Sequence, residues 1–454
     1  MEFYAIPITE NEEKNKWILY RPLLGTAFVG NQAMINLVRK IEQDQPLAEK
    51  ELEAKAFLDG IGFLKPDPDV PATQGEPFLP AMAVLLLTNQ CNLRCIYCYA
   101  GAGEAPKKTL TVELGKAVID SVALNAQKKN LPEFGLSFHG GGEPTQAWRV
   151  IKACVQHARA KPLKASISLT SNGIWSDAQT SWILENINGV SISMDGGPET
   201  QARQRPARDG RNSFEYSMRT IRRLDARNFS YGIRMTATAP WSNIPKDVRF
   251  LCENTGVKAM QLEPAFNVGR SGHAQPSQQD TQEFIEAILE AYEIAEQAGR
   301  KFFYAGARLG WITDVFCTAP YQALIVNPYG EIVPCYEVTD PNHPLISISR
   351  YGRYHDGQLD VDTSARQNLF RLMAERRASC KDCFCYWSCA GNCYTRAFEP
   401  GENGHLQRGM LCQISQKLIK QLILRKIAEG DGVWHHQVET GQAAVLSALP
   451  VKEG

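Results

Sequence analysis

Thirteen cysteines fall in clusters along the 454 residues, and their spacing is the first feature of the sequence that implies chemistry. Cys91, Cys95 and Cys98 stand in the order CxxxCxxC, inside Thr88-Asn89-Gln90-Cys91-Asn92-Leu93-Arg94-Cys95-Ile96-Tyr97-Cys98-Tyr99. Three thiolates from one short loop can take three irons of a cubane cluster and leave the fourth iron open. A structural zinc ion would want a fourth ligand nearby. A second set comprises Cys317, Cys335, Cys380, Cys383, Cys389, Cys393 and Cys412, more thiols than one metal site takes. Here a zinc ribbon stays open, because Cys380 and Cys383 with Cys389 and Cys393 could wrap one ion. Cys154 and Cys252 fall on predicted helices and read as buried, inert thiols.

The elements that must hold these residues alternate. Apolar, strand-like runs are Val84–Thr88, Leu136–His139, Ser166–Thr170, Val190–Met194, Tyr231–Thr238 and Lys258–Glu263. Helical stretches lie between them, among them Val112–Lys128, Gln146–Ala160, Phe214–Asp225 and Thr281–Gln297. Six βα units predict a parallel sheet with outer helices, as a closed barrel or an open partial one. The polar motifs end these strands, where βα folds carry their active sites. They are Phe138-His139-Gly140-Gly141-Gly142-Glu143-Pro144, Thr170-Ser171-Asn172-Gly173, Ser191-Ile192-Ser193-Met194-Asp195-Gly196 and Gln261-Leu262-Glu263-Pro264.

Outside this core, residues 1–65 read as a small unit. Short strands flank Arg21-Pro22-Leu23-Leu24-Gly25. Asn31 caps a helix carrying Met34, Leu37, Val38 and Ile41. A second helix turns Leu47, Leu52, Ala56 and Phe57 inward. A proline-rich linker spans 66–80, the barrel 81–300, a Cys-rich domain 301–412, and a helix and tail 413–454. The stretch 310–412 looks poor in long periodic segments, so metal ligation is a natural staple for it.

Composition narrows the classes. Lys plus Arg and Asp plus Glu both number 49, so no basic excess points to nucleic acid. The apolar run Ala81–Leu87 is too short to span a bilayer, and residues 1–16 lack the pattern of a secretory signal. The expectation is a cytoplasmic protein without membrane or nucleic-acid partners, in which clustered thiols ligate metal rather than form disulfides.

The CxxxCx(aromatic)C loop after the first strand resembles the signature of radical S-adenosylmethionine (SAM) enzymes. That resemblance implies that Cys91, Cys95 and Cys98 hold a [4Fe–4S] cluster whose open iron chelates the amino and carboxylate groups of SAM. One electron then cleaves SAM to methionine and a 5′-deoxyadenosyl radical, which abstracts a hydrogen atom. Tyr97 would lie near the adenine, and Gly141, Gly142 and Glu143 match the family's GGEP motif at the SAM amino group. Asn172 matches its TNG position. Ser193, Arg205 and Arg234 are candidates for the SAM carboxylate, and Leu262 lies in the segment lining the adenine. Where peptide-modifying relatives often place His-Asp before the Arg205 position, this chain has Gln201-Ala202.

The second set resembles the SPASM extension of these enzymes, Cx(9–15)Gx4C–Cx2Cx5Cx3C–C. By that resemblance Cys380, Cys383, Cys389 and Cys412 close an outer auxiliary [4Fe–4S] cluster, and Cys317, Cys335 and Cys393 hold an inner one. The inner cluster is left with an open iron or with Cys385 as a further ligand. The implied fold is α/β: a partial (β/α)6 TIM-like barrel, a small N-terminal winged-helix-like unit and a C-terminal Cys-rich SPASM domain. Three [4Fe–4S] clusters and SAM are the implied cofactors, with an external low-potential electron donor. SPASM enzymes mostly modify peptides, and their auxiliary clusters can carry away a second electron.

Residues 1–65 weakly resemble a PqqD-like unit that binds a precursor's leader as an added strand; a small capping subdomain is the alternative. Sulfatase maturases place a catalytic Asp directly after the Gx4C cysteine, where this chain has Tyr336 and then Glu337, the two candidates for a base. The leading expectation is a maturase of a ribosomally made precursor peptide, forming a carbon–carbon crosslink or, next, a thioether. A protein maturase of the sulfatase-maturase type and a zinc-stapled binding module without catalysis are the alternatives.

Overall fold

The computed structural model describes residues 1–8, 15–70, 72–73, 76–265, 270, 277, 280–396, 399–400, 406–407, 409–436 and 439–440. The chain forms two compact units. The first takes Met1–Thr73, Gly306–Phe316 and Glu375–Gln442; the second takes Gln74–Ala305 and Cys317–Ala374.

The first unit opens with an antiparallel meander of β1 (Tyr4–Pro7), β2 (Trp17–Arg21) and β3 (Thr26–Gly30). A tight turn through Pro22–Leu24 joins β2 to β3, and Gly25 closes it at φ 60°, a left-handed geometry that glycine takes without a Cβ clash. Next, α1 (Gln32–Glu42) starts at the expected cap, the Asn31 side chain accepting from the Met34 N–H at 3.0 Å. The inward face of α2 (Glu49–Gly60) differs from the expectation. Leu52 and Phe57 are exposed, and Leu58 is the one buried residue. This helix is polar around most of its circumference, so periodicity alone misplaced its phase. The core here is Leu19, Phe28, Ile35, Leu37, Val38, Leu58 and Phe63. Buried Arg21 ties the unit together, donating to the carbonyls of Glu2, Phe63 and Lys65 and to Asp67.

The second unit contains the six expected βα repeats. They run β4 (Met82–Leu86), α3 (Val112–Lys128), β5 (Glu133–His139), α4 (Trp148–Arg159), β6 (Lys164–Ser171), α5 (Asp177–Asn186), β7 (Gly189–Ser193), α6 (Pro198–Gln204), α7 (Ser213–Ala226), β8 (Tyr231–Ala237), α8 (Asn243–Asn254), β9 (Ala259–Pro264) and α9 (Thr281–Gln297). A further strand, β10 (Lys301–Tyr304), pairs parallel with β9. The chain passes through β11 (Trp311–Ile312) in the first unit and returns by α10 (Ala319–Gln322) to β12 (Ala323–Val326), which pairs parallel with β4. There β13 (Glu331–Val333), α11 (Ile346–Ser349), β14 (Gly352–His355) and β15 (Gln358–Val361) follow, the three strands extending that edge antiparallel. Sheet order runs from β10 to β15 without closing, so the barrel is partial.

Strand alternation separates two chemistries. On β6, Ala165, Ile167 and Leu169 are buried on the helix side, while Ser166, Ser168 and Thr170 are half-buried on the other face. The same alternation on β5, β7, β8 and β9 lines the concave face with polar side chains. Near β4 that face turns apolar, where Val84 and Leu86 pack with Ala323, Ile325, Val333 and Val338. Within the stretch read as poor in periodic segments lies α12 (Thr363–Ala378). Its sequence shows no apolar stripe because it buries only Arg366 and Leu369. The Arg366 guanidinium stacks 3.5 Å from the Phe78 ring centroid and donates to the Pro320 carbonyl.

The remaining elements return to the first unit: α13 (Tyr386–Cys389), the pair β16 (Glu399–Pro400) and β17 (Leu406–Gln407), α14 (Met410–Glu429), β18 (Val433–His435) and β19 (Glu439–Thr440). Strand β18 adds antiparallel to β3, and the Trp387 indole donates to Glu2 at 2.8 Å. The compact units therefore cut across the segments 1–65, 66–80, 81–300, 301–412 and 413–454 drawn from sequence. Long-range strand pairing, invisible in local composition, joins both chain ends. Among the described residues, no helix is long and apolar enough to cross a membrane.

Candidate active site

The loop carrying Cys91, Cys95 and Cys98 leaves the C-terminal end of β4 and is gripped from both sides. On one side the segment after α6 runs antiparallel to it, with Ile96 N–H to Gln204 O at 3.0 Å, Arg94 N–H to Pro206 O at 2.7 Å and Arg208 N–H to Asn92 O at 2.9 Å. On the other side the Gly-rich segment after β5 donates from Gly142 N–H to Thr88 O at 2.7 Å and from Glu143 N–H to Gln90 O at 2.8 Å. Glycine is required there, because a Cβ on Gly142 would stand 2.1 Å from the Gln90 carbonyl oxygen. A Cβ on Gly141 would press on Thr339 at 2.9 Å.

All three thiols are half-buried. Burial, then the Glu143 charge, pushes the Cys91 thiol up to about 12. Burial lifts Cys95 to about 11 against the opposing pull of Arg205. Such thiols ionise when a bound cation supplies positive charge. Among the described residues no three His, Cys, Asp or Glu side chains converge on one point as a lone ion requires. A cubane does not ask for that convergence, since each thiolate takes a different iron. The loop fits the cluster.

Glu143 is buried and held by four donors. Oε1 accepts from Thr145 N–H, Thr145 Oγ1–H and Ser171 Oγ–H, and Oε2 accepts from Asn172 N–H at 2.8 Å. Burial outweighs these bonds and leaves its carboxyl above the usual carboxylate range. Three bonds crowd Oε1, so Oε2 keeps a lone pair for an ammonium donor. The Asn172 amide donates to Asn92 at 2.7 Å and lies 3.9 Å from the Cys91 sulfur.

A second hub was not assigned a role from sequence. Asp195, just beyond β7, is buried and accepts four bonds. Oδ2 takes Tyr97 O–H at 2.5 Å and Gln204 Nε2 at 2.8 Å; Oδ1 takes Arg205 Nη2 at 2.9 Å and Thr236 N–H at 2.8 Å. Tyr97, expected beside an adenine, thus uses its hydroxyl on Asp195, and its ring lies 5.3 Å beneath the Arg205 guanidinium. Arg205 is committed to Asp195, yet its buried Nε has no partner among the described residues. The other two carboxylate candidates lie opposite each other on neighbouring strands, Ser193 on β7 and Arg234 on β8. Leu262 is buried on β9 and lines a small cleft with Asp195, Gln204, Met235, Thr236 and Asp247. Asp195 was legible only as part of an Asp-Gly turn, because its four donors come from three separate stretches of chain.

Arg234 lies on β8 two residues before Thr236, whose N–H bonds Asp195. The Arg234 charge acts on His139 and Tyr336, whose rings lie 4.6 Å apart. Burial and Arg234 push the His139 imidazole down to about 3. Burial, with the charges of Cys317 and Cys335, raises the Tyr336 phenol well above its usual range. Glu337, the other base candidate, donates its N–H to the Cys335 sulfur at 3.4 Å. Cys317 and Cys335 both pack on the apolar cluster around Val84 and Leu86.

In the first unit, Cys380, Cys383, Cys389 and Cys412 come together. The charges of Cys412, Cys383 and Cys380, after burial, push the Cys389 thiol up to about 12, and Arg308 opposes them. One Gln416 amide reaches both Cys383, at 3.4 Å, and Cys412, at 3.8 Å. Buried Cys385 bonds to the Cys383 side chain, and Cys393 contacts the Thr395 hydroxyl at 3.0 Å. Of the two helix thiols expected to be inert, Cys154 is fully buried, while Cys252 is only half-buried on the solvent-facing side of α8.

Residues 85–239 match the Radical SAM superfamily. The barrel is a radical SAM domain. The sporulation killing factor maturation protein SkfB of Bacillus subtilis is 26% identical over 361 residues, 76% of this chain and 79% of that protein. Among solved structures, native anSMEcpe with bound AdoMet superposes with a TM-score of 0.60 at 19% identity, over 77% of this chain and 99% of that one. SuiB of Streptococcus suis bound to precursor peptide SuiA superposes with a TM-score of 0.53 at 15% identity, over 88% and 97%. The likeness to radical SAM maturases read from the motifs is thereby borne out: residues 85–239 match the superfamily, and the fold is that of these solved structures.

Proposed function

We propose that this chain is a maturase of a ribosomally made precursor peptide, in which Cys91, Cys95 and Cys98 hold the SAM-binding [4Fe–4S] cluster. The observation that carries the reading is the convergence on one loop: Asn172 and Glu143 beside Cys91, and Arg205 beside Cys95. The bound cluster and SAM would supply a 5′-deoxyadenosyl radical that abstracts a hydrogen atom from the peptide. Glu143 Oε2 accepts from the SAM ammonium, and Gly141 and Gly142 allow the close backbone approach. Ser193 and Arg205, two of the carboxylate candidates, would orient the SAM carboxylate, Asn172 would stand beside the Cys91 end of the site, and Leu262 would contribute apolar surface toward the adenine. Tyr97 acts at one remove, holding Asp195 and hence Arg205 in place.

Cys380, Cys383, Cys389 and Cys412 would hold an outer auxiliary [4Fe–4S] cluster, supported by their mutual electrostatic reach. Cys317, Cys335 and Cys393 would serve an inner one. The reaction we favour is a side-chain crosslink, carbon–carbon before thioether, with electrons from an external donor and the enzyme in the cytoplasm. The names of the relatives support a peptide partner: one is a maturation protein, and another was solved with its precursor peptide. Oxidation of a sulfatase-type protein is less favoured, because Tyr336 and not a carboxylate follows Cys335, and its raised phenol is a poor base. Glu337 is then the carboxylate nearest that position.

Anaerobic reconstitution tests the reading. About twelve irons per chain are expected for three cubanes, and Cys91→Ala should abolish 5′-deoxyadenosine while leaving the fold intact. Full SAM cleavage by that variant, or zinc without iron, would overturn it.

A further inference from the structure

The concave face of the barrel is unusually polar for a βα fold, whose interior is normally filled by branched apolar side chains. Ser137, His139, Ser168, Thr170, Ser193 and Glu263 all face inward and are half-buried. Among them Arg234 is the exceptional group. It sits mid-strand on β8, half-buried, and makes no hydrogen bond or ion pair with the described residues. Its guanidinium presents five donors in a fixed fork that matches a carboxylate.

Its neighbours narrow the acceptor. The His139 ring packs against the Tyr336 ring at 4.6 Å, and neither side chain is a carboxylate. The Glu263 carboxylate accepts from the Gln261 amide at 3.1 Å and the Ala305 N–H at 3.1 Å. Arg205 is the cation whose charge acts most on Cys95, whereas Arg234 acts on His139 and Tyr336. Arg234 faces the His139–Tyr336 wall, and Tyr336 directly follows Cys335.

We propose that Arg234 is the receptor for a carboxylate of the peptide substrate, an Asp or Glu side chain or a chain terminus, seated in the polar barrel interior against His139 and Tyr336. This assignment rests on the peptide-maturase reading and adds the substrate's charge to it. A bidentate guanidinium–carboxylate pair would set the register of the peptide, and hence which carbon meets the radical.

The test pans a random peptide library, displayed on its encoding mRNA, over the reconstituted holoenzyme with SAM present. The retained pool should be enriched in Asp and Glu. For peptides drawn from it, Asp→Asn or Glu→Gln exchange should weaken binding about 10- to 100-fold, the range of a charge-assisted bond. Arg234→Gln should erase that difference, Arg234→Lys should keep most of it, and Arg234→Glu should turn the preference toward Lys and Arg. SAM affinity should move less than about threefold in Arg234→Gln, against tenfold or more for loss of a bidentate SAM contact. A pool without acidic preference, or a tenfold loss of SAM affinity, overturns the assignment while the maturase reading stands. A holoenzyme that binds SAM but retains no peptide overturns both.

Discussion

Replacing Asp195 by Asn tests the hub that joins the cysteine loop to β7, β8 and α6. The carboxylate accepts four bonds, two on each oxygen, from Tyr97, Gln204, Arg205 and Thr236. An Asn side chain has one carbonyl and one NH2, so in either orientation two donors face a donor. Arg205 also loses its anionic partner in a site where both side chains are nearly inaccessible. Removing one member of a buried pair costs about 3–5 kcal/mol. The expected result is a loss of that size in urea unfolding followed by tryptophan fluorescence, with reduced iron in the SAM site because Tyr97 no longer anchors the loop. The double variant Asp195→Asn/Arg205→Gln should recover part of the loss, giving a coupling of about 1–3 kcal/mol. A single variant that loses less than about 1 kcal/mol, or a cycle with no coupling, refutes the hub.

Other expectations follow from the same packing. Gly142→Ala drives a Cβ into the Gln90 carbonyl and should cost about 1–3 kcal/mol or more by overpacking, together with iron incorporation, whereas Gly60→Ala, with open space around it, should be neutral or slightly stabilising; iron analysis and thermal melts compare them. Burial pushes the Asp247 carboxyl up to about 6. A raised carboxyl contributes stability that is complete below the unfolded value near 3.9 and is lost as pH rises through about 6, worth about 3 kcal/mol at most. Asp247→Asn should flatten the stability profile between pH 4 and 7, and an unchanged profile would contradict the burial argument. Arg21→Ala should cost about 2–5 kcal/mol, because it strands the buried carbonyl of Phe63 and removes the bonds to Lys65 and Asp67; unfolding of the first unit by hydrogen exchange reads it. The His139 imidazole should stay neutral at pH 5, which ring nitrogen chemical shifts report.

Local patterns carried much of this protein. The cysteine spacings, the six strand runs and the glycine-rich strand end are short-range signals, and each needs only neighbouring residues to be read. The Asn31 cap and the long helices α3 and α9 were legible for the same reason. Three features were not. The phase of α2 and the helix α12 lack an apolar stripe, since α12 buries an arginine and a leucine rather than a continuous face. The joining of β18 to β3 pairs residues some four hundred positions apart, and nothing local encodes such a partner.

The sequence alone determined which groups are present for the chemistry: thiols at cubane spacing, a glycine-lined approach and an acid beside it. Tertiary structure decided how those groups are used. It turned Asp195 from a turn residue into an acceptor of four bonds, bound Arg205 to it, and left the Arg234 side chain on β8 without a hydrogen-bond or ion-pair partner among the described residues. The division has a simple physical origin. Ligand type and spacing are properties of neighbours along the chain, whereas the partner of a buried charge depends on which distant strands the sheet brings alongside it.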